Sequence, residues 1–404
     1  MRRSTLLFLF GFLFILSSTV FPQAVGQYED EAPLASWNIL GPLSGRSGSL
    51  GGITVVLSND PASIFTNPAS LSNIGGATVA GSVELLSARL FRYSIVNTGV
   101  IVSLPRNEGG LGSGFVAFLY PLRGFNLAFA FGRLENISRP TASFTTEWGE
   151  KLSQTFGGWT NIFSFGVSKN AGKFSFGFGA HYLSGYFSKN LNYTLNEGIS
   201  FAYYTDEARE DFSGYYFTLG ATFKPTPKLT LGLSLRTPYE RKGEGRVRRE
   251  MKTSQVDIIG DYRSGDDRYQ EPLAFLFGSS YQISGKLLLL MEVDYLRWSS
   301  YRVTYFSEDL PRNFDDTLLF RLGAEYTFTA VRNGRRVSLP LRVGYLYDPQ
   351  PVTYLRYRYH YLTLGGGFSF ARFSCDLAFQ YGFERSSGEN LSNVRFITSI
   401  SYRF

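Results

Sequence analysis

The chain has one cysteine, Cys375, and two histidines, His181 and His360. One cysteine cannot close an internal disulfide, and no cysteine-built metal cluster can be assembled from it. Charged residues are scarce at 18%, and beyond the N-terminus no apolar run reaches the ~18 residues that mark a membrane-spanning helix. With so few titratable partners, catalysis is not expected: His181 has no identifiable Ser or Asp partner, and Glu292 and Asp294 share one strand face, where carboxylates more often balance arginines than act as acid and base. No metal or cofactor is expected. The net charge of +7 on an exported chain points to anionic lipid or an anionic ligand, not to nucleic acid.

What the chain does have is aromatics and glycine: Phe 37, Tyr 26 and Gly 43. That composition suits β structure with one face against a nonpolar solvent. The chain begins with Arg2 and Arg3, an apolar run from Leu6 to Leu16, and small residues at Ala24 and Gly26. This is the order of a secretory signal peptide, and the apolar run is too short for an anchor that needs about 20 residues. Residues 1–26 are therefore read as a signal for export by the general route, and residues 27–76 as a leader and plug. The leader is polar to Leu43 and carries the acidic patch Glu29, Asp30 and Glu31. The glycines from Gly45 to Gly52 allow tight backbone approach, but no Lys-Ser/Thr follows them, so they form no phosphate loop. Asp60-Pro61 reads as the cap and first turn of a short helix, and Asn67-Pro68 as a turn.

From Ala77 onward apolar and polar side chains alternate. Phe373, Cys375, Leu377, Phe379, Tyr381 and Phe383 interleave with Ser374, Asp376, Ala378, Gln380, Gly382 and Glu384; Leu229, Leu231, Leu233 and Leu235 interleave with Thr230, Gly232, Ser234 and Arg236. A soluble sandwich also alternates, but here the second set is too small and polar to build a core. Connections alternate between short and long, the pattern of an outer-membrane barrel with short periplasmic turns and long outer loops. Counting back from Phe404 gives about fourteen strands over 77–404, an all-β, transmembrane antiparallel barrel. Ile95–Leu104 falls by parity inside the first outer loop. Segments 188–211 and 238–270 read as outer loops, the second with the basic run Arg241, Lys242, Arg246, Arg248, Arg249 and Lys252. That run is expected to face lipopolysaccharide. Trp298, Tyr301, Tyr345, Tyr347, Tyr359 and Tyr361 near the outer ends, and Phe223, Tyr281, Phe328 and Phe404 near the inner ends, are expected to form aromatic girdles. The last strand, ending at Phe404, looks like an insertion signal for the barrel-assembly machinery.

Asp60-Pro61-Ala62-Ser63 with Asn67-Pro68-Ala69, then Leu229 to Pro238, Tyr295 to Ser300 and Arg342 to Pro349, resemble in order the FadL/TodX family of outer-membrane transporters for hydrophobic compounds. The resemblance spans about Ser44 to Phe404. It implies a fourteen-stranded barrel in the outer membrane of a Gram-negative-type bacterium, with a luminal hatch to which Asn67, Pro68 and Ala69 belong. It also implies cargo such as long-chain fatty acids or other apolar molecules. The chain departs from the family pattern at Ser70, where Gly is common, in its basic second loop, and in its acidic leader. A fatty-acid cargo needs a luminal cation for its carboxylate, and the inward-facing candidates are Arg236, Arg321, Arg342 and Arg395; each is equally suited to pair with Glu292, Asp294, Glu325 or Asp376. The alternative role is that of a PorV-like partner of a secretion system, without small-molecule transport.

Overall fold

The computed structural model describes residues 40–404 except 98–99, 137–138, 146–150, 198–199, 255–258, 306–307, 311–313, 333, 352, 354–356 and 387–390. The expected signal peptide and most of the leader lie outside the described residues. From Thr78 the chain is almost entirely strand: β1 (Thr78–Asn97), β2 (Val100–Leu122), β3 (Phe125–Asn136), β4 (Arg139–Thr145), β5 (Lys151–Ala171), β6 (Phe174–Glu197), β7 (Ser200–Thr226), β8 (Leu229–Arg236), β9 (Tyr239–Thr253), β10 (Ile259–Glu271), β11 (Ala274–Gln282), β12 (Leu287–Leu296), β13 (Arg302–Tyr305), β14 (Glu308–Leu310), β15 (Thr317–Arg332), β16 (Arg335–Pro349), β17 (Arg358–Phe370), β18 (Phe373–Glu384) and β19 (Ser392–Arg403).

Fourteen of these close a cylinder in the order β1-β2-β3-β5-β6-β7-β8-β11-β12-β15-β16-β17-β18-β19, each antiparallel to the next. The seam is β1 against β19, from Thr78↔Arg403 to Arg89↔Ser392. Closure pairs the ladder groups that an open sheet would leave at its edges, which is what allows β structure to sit in hydrocarbon. The short turns fall at one end. Arg123 and Gly124 both have positive φ (47° and 84°), the mirror-image two-residue turn that follows strand twist.

Side-chain parity follows the expected alternation. Leu364, Leu377, Phe379 and Tyr381 are exposed, while Ala378, Gln380 and Gly382 between them are buried. Exposed aromatics pair across strands, as Phe131 with Phe163 (ring centroids 4.8 Å) and Phe129 with Phe165 (5.1 Å). Ile95–Leu104 is the outer end of the first hairpin, with Ile95 opposite Val102. It is not a further wall strand.

Two expectations change. Segments 188–211 and 238–270 are largely strand, not loop: the outer halves of β6 and β7 continue past the cylinder, and β9 and β10 join them as an outer sheet. Backbone pairing to a neighbour satisfies these long connections, which sequence length alone reads as coil. The outer girdle also differs. Trp298, Tyr301, Tyr359 and Tyr361 are all buried, turned into the cylinder, and of the six only Tyr345 and Tyr347 lie on the lipid-facing parity. Tyr359 and Tyr361 alternate with exposed Leu362, so their parity is inward.

Candidate functional site

Residues 40–76 occupy the lumen. They contain one helical turn, Gly45–Ser49, capped reciprocally by Ser44 and Ser47, and two short 3-10 turns, Pro61–Phe65 and Pro68–Leu71. Asp60 caps the first 3-10 turn by accepting from Ala62 N at 2.9 Å, and Asn67 caps the second by accepting from Ala69 N at 3.1 Å. Proline follows each cap at the first turn position, where a missing N–H costs nothing. Ser70, where the related pattern has Gly, keeps the turn: its hydroxyl donates to Val55 O at 2.7 Å, beside Asn67 Nδ2 to the same oxygen at 2.7 Å.

With so little regular structure, the plug's peptide groups need outside partners, and the wall supplies them as side chains. Glu292 accepts from Thr54 N and Val55 N at 2.8 and 2.7 Å. Thr363 accepts from Gly51 N and donates to Ser49 O. Gln380 donates to Gly48 O at 2.7 Å, Ser82 to Leu43 O at 2.7 Å, and Ser234 to Thr66 O. Ser399 accepts from Gly45 N at 3.0 Å. The small inward residues of the wall make room for this. A Cβ at Gly220 would overlap the Asn67 amide oxygen, and one at Gly177 would overlap the backbone of Ala69. Asn67, Pro68 and Ala69 therefore sit directly on a glycine track in β6 and β7.

The four arginines proposed from sequence are all buried. Arg321 donates to Asp294 at 2.7 Å and to Gly51 O at 3.1 Å, and Glu292 lies 3.7 Å away. Arg342 bridges Glu325 and Asp376, each at 2.6 Å. Arg395 chelates Glu84 across the seam at 2.7 and 2.5 Å and reaches Gln380 at 3.2 Å. Arg236 donates to Pro272 O at 3.0 Å and lies over the rings of Tyr216 and Tyr239. Reasoning from sequence missed Arg46, which ties the plug to Glu325 at 3.1 Å, and Glu84. Glu84 is buried on the inward face of β1, and its partner is 311 residues away.

Toward the outer end, Trp298, Tyr301 and Phe314 pack together with ring centroids 5.4–5.9 Å apart, alongside Tyr359 and Tyr361. At the turn end a vestibule of about 300 Å³ is lined by serines and by Arg46, Glu325, Arg342, Asp376, Arg372 and Arg403. His181 is held by Ser164 at 2.8 Å and Thr218 at 3.0 Å, both on neighbouring strands, and stacks on Tyr216. These hydroxyl partners could not be found by spacing along one strand. The supposed basic loop is strand β9, and five of its six basic residues are matched: Arg241 with Glu271 at 2.6 Å inside, Arg249 with Asp206 at 3.5 Å, and Lys242, Arg246 and Arg248 outside with Glu240, Glu244 and Glu250, while Lys252 is exposed.

The family model described as outer membrane protein transport protein (OMPP1/FadL/TodX) matches residues 43–397. Among solved structures, the Pseudomonas putida toluene transporter TodX is 16% identical over 90% of this chain and 99% of its own, with a TM-score of 0.63. A Pseudomonas aeruginosa FadL homologue is 16% identical over 94% and 100%, TM-score 0.63. The Ralstonia pickettii toluene transporter TbuX is 16% identical over 91% and 99%, TM-score 0.60. Among curated protein sequences none matches the chain.

Proposed function

Because the chain belongs to the FadL/TodX family of outer-membrane transport proteins, we propose that residues 40–76 act as its hatch and that it admits hydrophobic small molecules past that hatch. The observation that carries this reading is the tied plug: a cylinder filled by its own chain is unsuited to be an open water pore, and the plug is held by polar side chains of the wall as well as by apolar packing such as Phe65 on Phe115. The buried aromatic cluster around Trp298 and Tyr301 is an apolar surface against which an apolar molecule would gain about 0.8 kcal/mol per CH₂ buried. Long-chain fatty acids are the cargo that the resemblance implies; two of the similar structures are titled toluene transporters, so the proposal covers the apolar class. Export by residues 1–26, assembly through the strand ending at Phe404, and contact of the outer sheet with lipopolysaccharide complete it.

A role as a secretion partner is weaker, because a wide lumen and apolar outer loops would serve it, whereas the plug fills the lumen and the outer strands are laced with ion pairs. The test is short-time uptake of radiolabelled apolar compounds by cells with and without the chain. Equal uptake would count against transport.

A further inference from the structure

Among the described residues, twelve buried carboxyl side chains stand against five buried arginines and one histidine, with no buried lysine. The arginines are already engaged. Arg321 serves Asp294 and Glu292, Arg342 serves Glu325 and Asp376, Arg395 serves Glu84, and Arg241 serves Glu271. Arg236 is capped by Pro272 O and two tyrosine rings, within electrostatic reach of Glu271.

A carboxylate cargo entering this lumen must shed water and find a cation. Taking one from its present partner strands a buried acid, and breaking a buried pair on one side is strongly unfavourable. Whether the surplus acids carry charge or hold a proton, none of them offers positive charge. An uncharged molecule of the same length meets the buried aromatic cluster around Trp298 without that demand. We infer that the conduit selects uncharged apolar molecules over carboxylates of equal chain length. This deepens the channel reading above and rests on it. The arginines are then wall ties, and the ligand is read by shape and aromatic contact.

The experiment compares 1-dodecanol with dodecanoate, both radiolabelled, at pH 7 and equal concentration, in cells with and without the full-length chain. The chain-dependent uptake of dodecanol is expected to exceed that of dodecanoate tenfold or more. Equal uptake, or a preference for dodecanoate, overturns the inference and leaves the channel reading standing. No chain-dependent uptake of either compound overturns the channel reading and the inference with it. A second arm uses Asp294→Asn, which releases Arg321 from its nearest carboxylate. The dodecanoate-to-dodecanol ratio is expected to rise threefold or more, whereas a purely structural lesion would lower both uptakes together. An unchanged ratio overturns the claim that ion pairing is what excludes the carboxylate.

Discussion

Substituting Gly220 by alanine tests the docking of the plug through a single methyl group. The new Cβ overlaps Asn67 Oδ1 and lies 3.0 Å from Asn67 Cγ and 3.2 Å from Ala69 N. Asn67 cannot swing aside cheaply: it is fully buried, its Nδ2 donates to Val55 O at 2.7 Å, and its Oδ1 caps the turn at Ala69. Gly177 backs Ala69 from β6, so retreat in that direction is also blocked. Two hydrogen bonds at about 1 kcal/mol each, with an overpacking strain of about 1–3 kcal/mol, give a cost of about 3–5 kcal/mol. At 1.4 kcal/mol per tenfold, that shifts the docked-to-undocked ratio by about two to three and a half orders of magnitude. The assay is swelling of liposomes in a small hydrophilic solute, run beside protease protection of residues 40–76. The variant is expected to swell faster and to lose protection. Gly285→Ala, where a Cβ meets nothing within 4 Å, serves as the control. A Gly220→Ala protein as tight and as protected as its parent would refute the packing argument.

Two further outcomes concern the wall and the outer sheet. Arginine at Leu364, which is 57% exposed on the lipid-facing parity, is expected to cost about 2–4 kcal/mol in refolding into vesicles, while arginine at Ser264 on the outer sheet should stay within ~0.5 kcal/mol; similar costs at both sites would contradict the facing assignment. Glu210 lies in the outer half of β7, between exposed Arg209 and Asp211 and so outside the lipid; burial first, and Asp267 next, push its carboxyl up from 4.5 to about 8. Below about pH 4.5 both folded and unfolded states hold the proton; above it the unfolded state releases the proton first, so the outer sheet loses stability as pH rises toward 8 and levels beyond it. Limited proteolysis across pH 5–9 should show that slope in the parent and not in Glu210→Gln.

The cylinder was legible because its physics is periodic: alternation fixes which side chain meets lipid, and turn spacing fixes the strand count. The cap at Asp60 and the turn at Asn67 were legible because both are local; that Asn67 also caps a 3-10 turn was not. What escaped was set by register between distant strands. Trp298 and Tyr359 sit at the right height for a girdle, yet point inward, and height along the sequence does not report radial direction. Arg395 meets Glu84 only because the first and last strands close the seam. β9 reads as a charged loop because its pairing partners, β7 and β10, are reached only after the chain has left the membrane and doubled back. The use of Gly177 and Gly220 as a seat for Asn67–Ala69 could not be read from either strand, because it depends on what fills the tube.

Three of the ties between plug and wall, at Glu325, Gln380 and Glu292, share one feature that bears on movement. Glu325 is bound by Arg46 of the plug and also by Arg342 of the wall at 2.6 Å. Gln380, which holds Gly48 O, also accepts from Arg395, and Glu292, which holds Thr54 and Val55, keeps Arg321 at 3.7 Å. If the plug leaves, Glu325, Gln380 and Glu292 each retain an arginine, so neither wall carboxylate is stranded without a cation, which is the expensive event. Removing the second partner should therefore hold the plug more tightly. In Arg342→Gln, Glu325 depends on Arg46 for its positive charge, and undocking would leave that carboxylate without a cation. The expected result is a severalfold fall in uptake of apolar cargo together with stronger protease protection of residues 40–76, the opposite of the Gly220→Ala phenotype. Weaker protection in Arg342→Gln would mean that the network supports the wall as a whole, and that the second partners have no bearing on release.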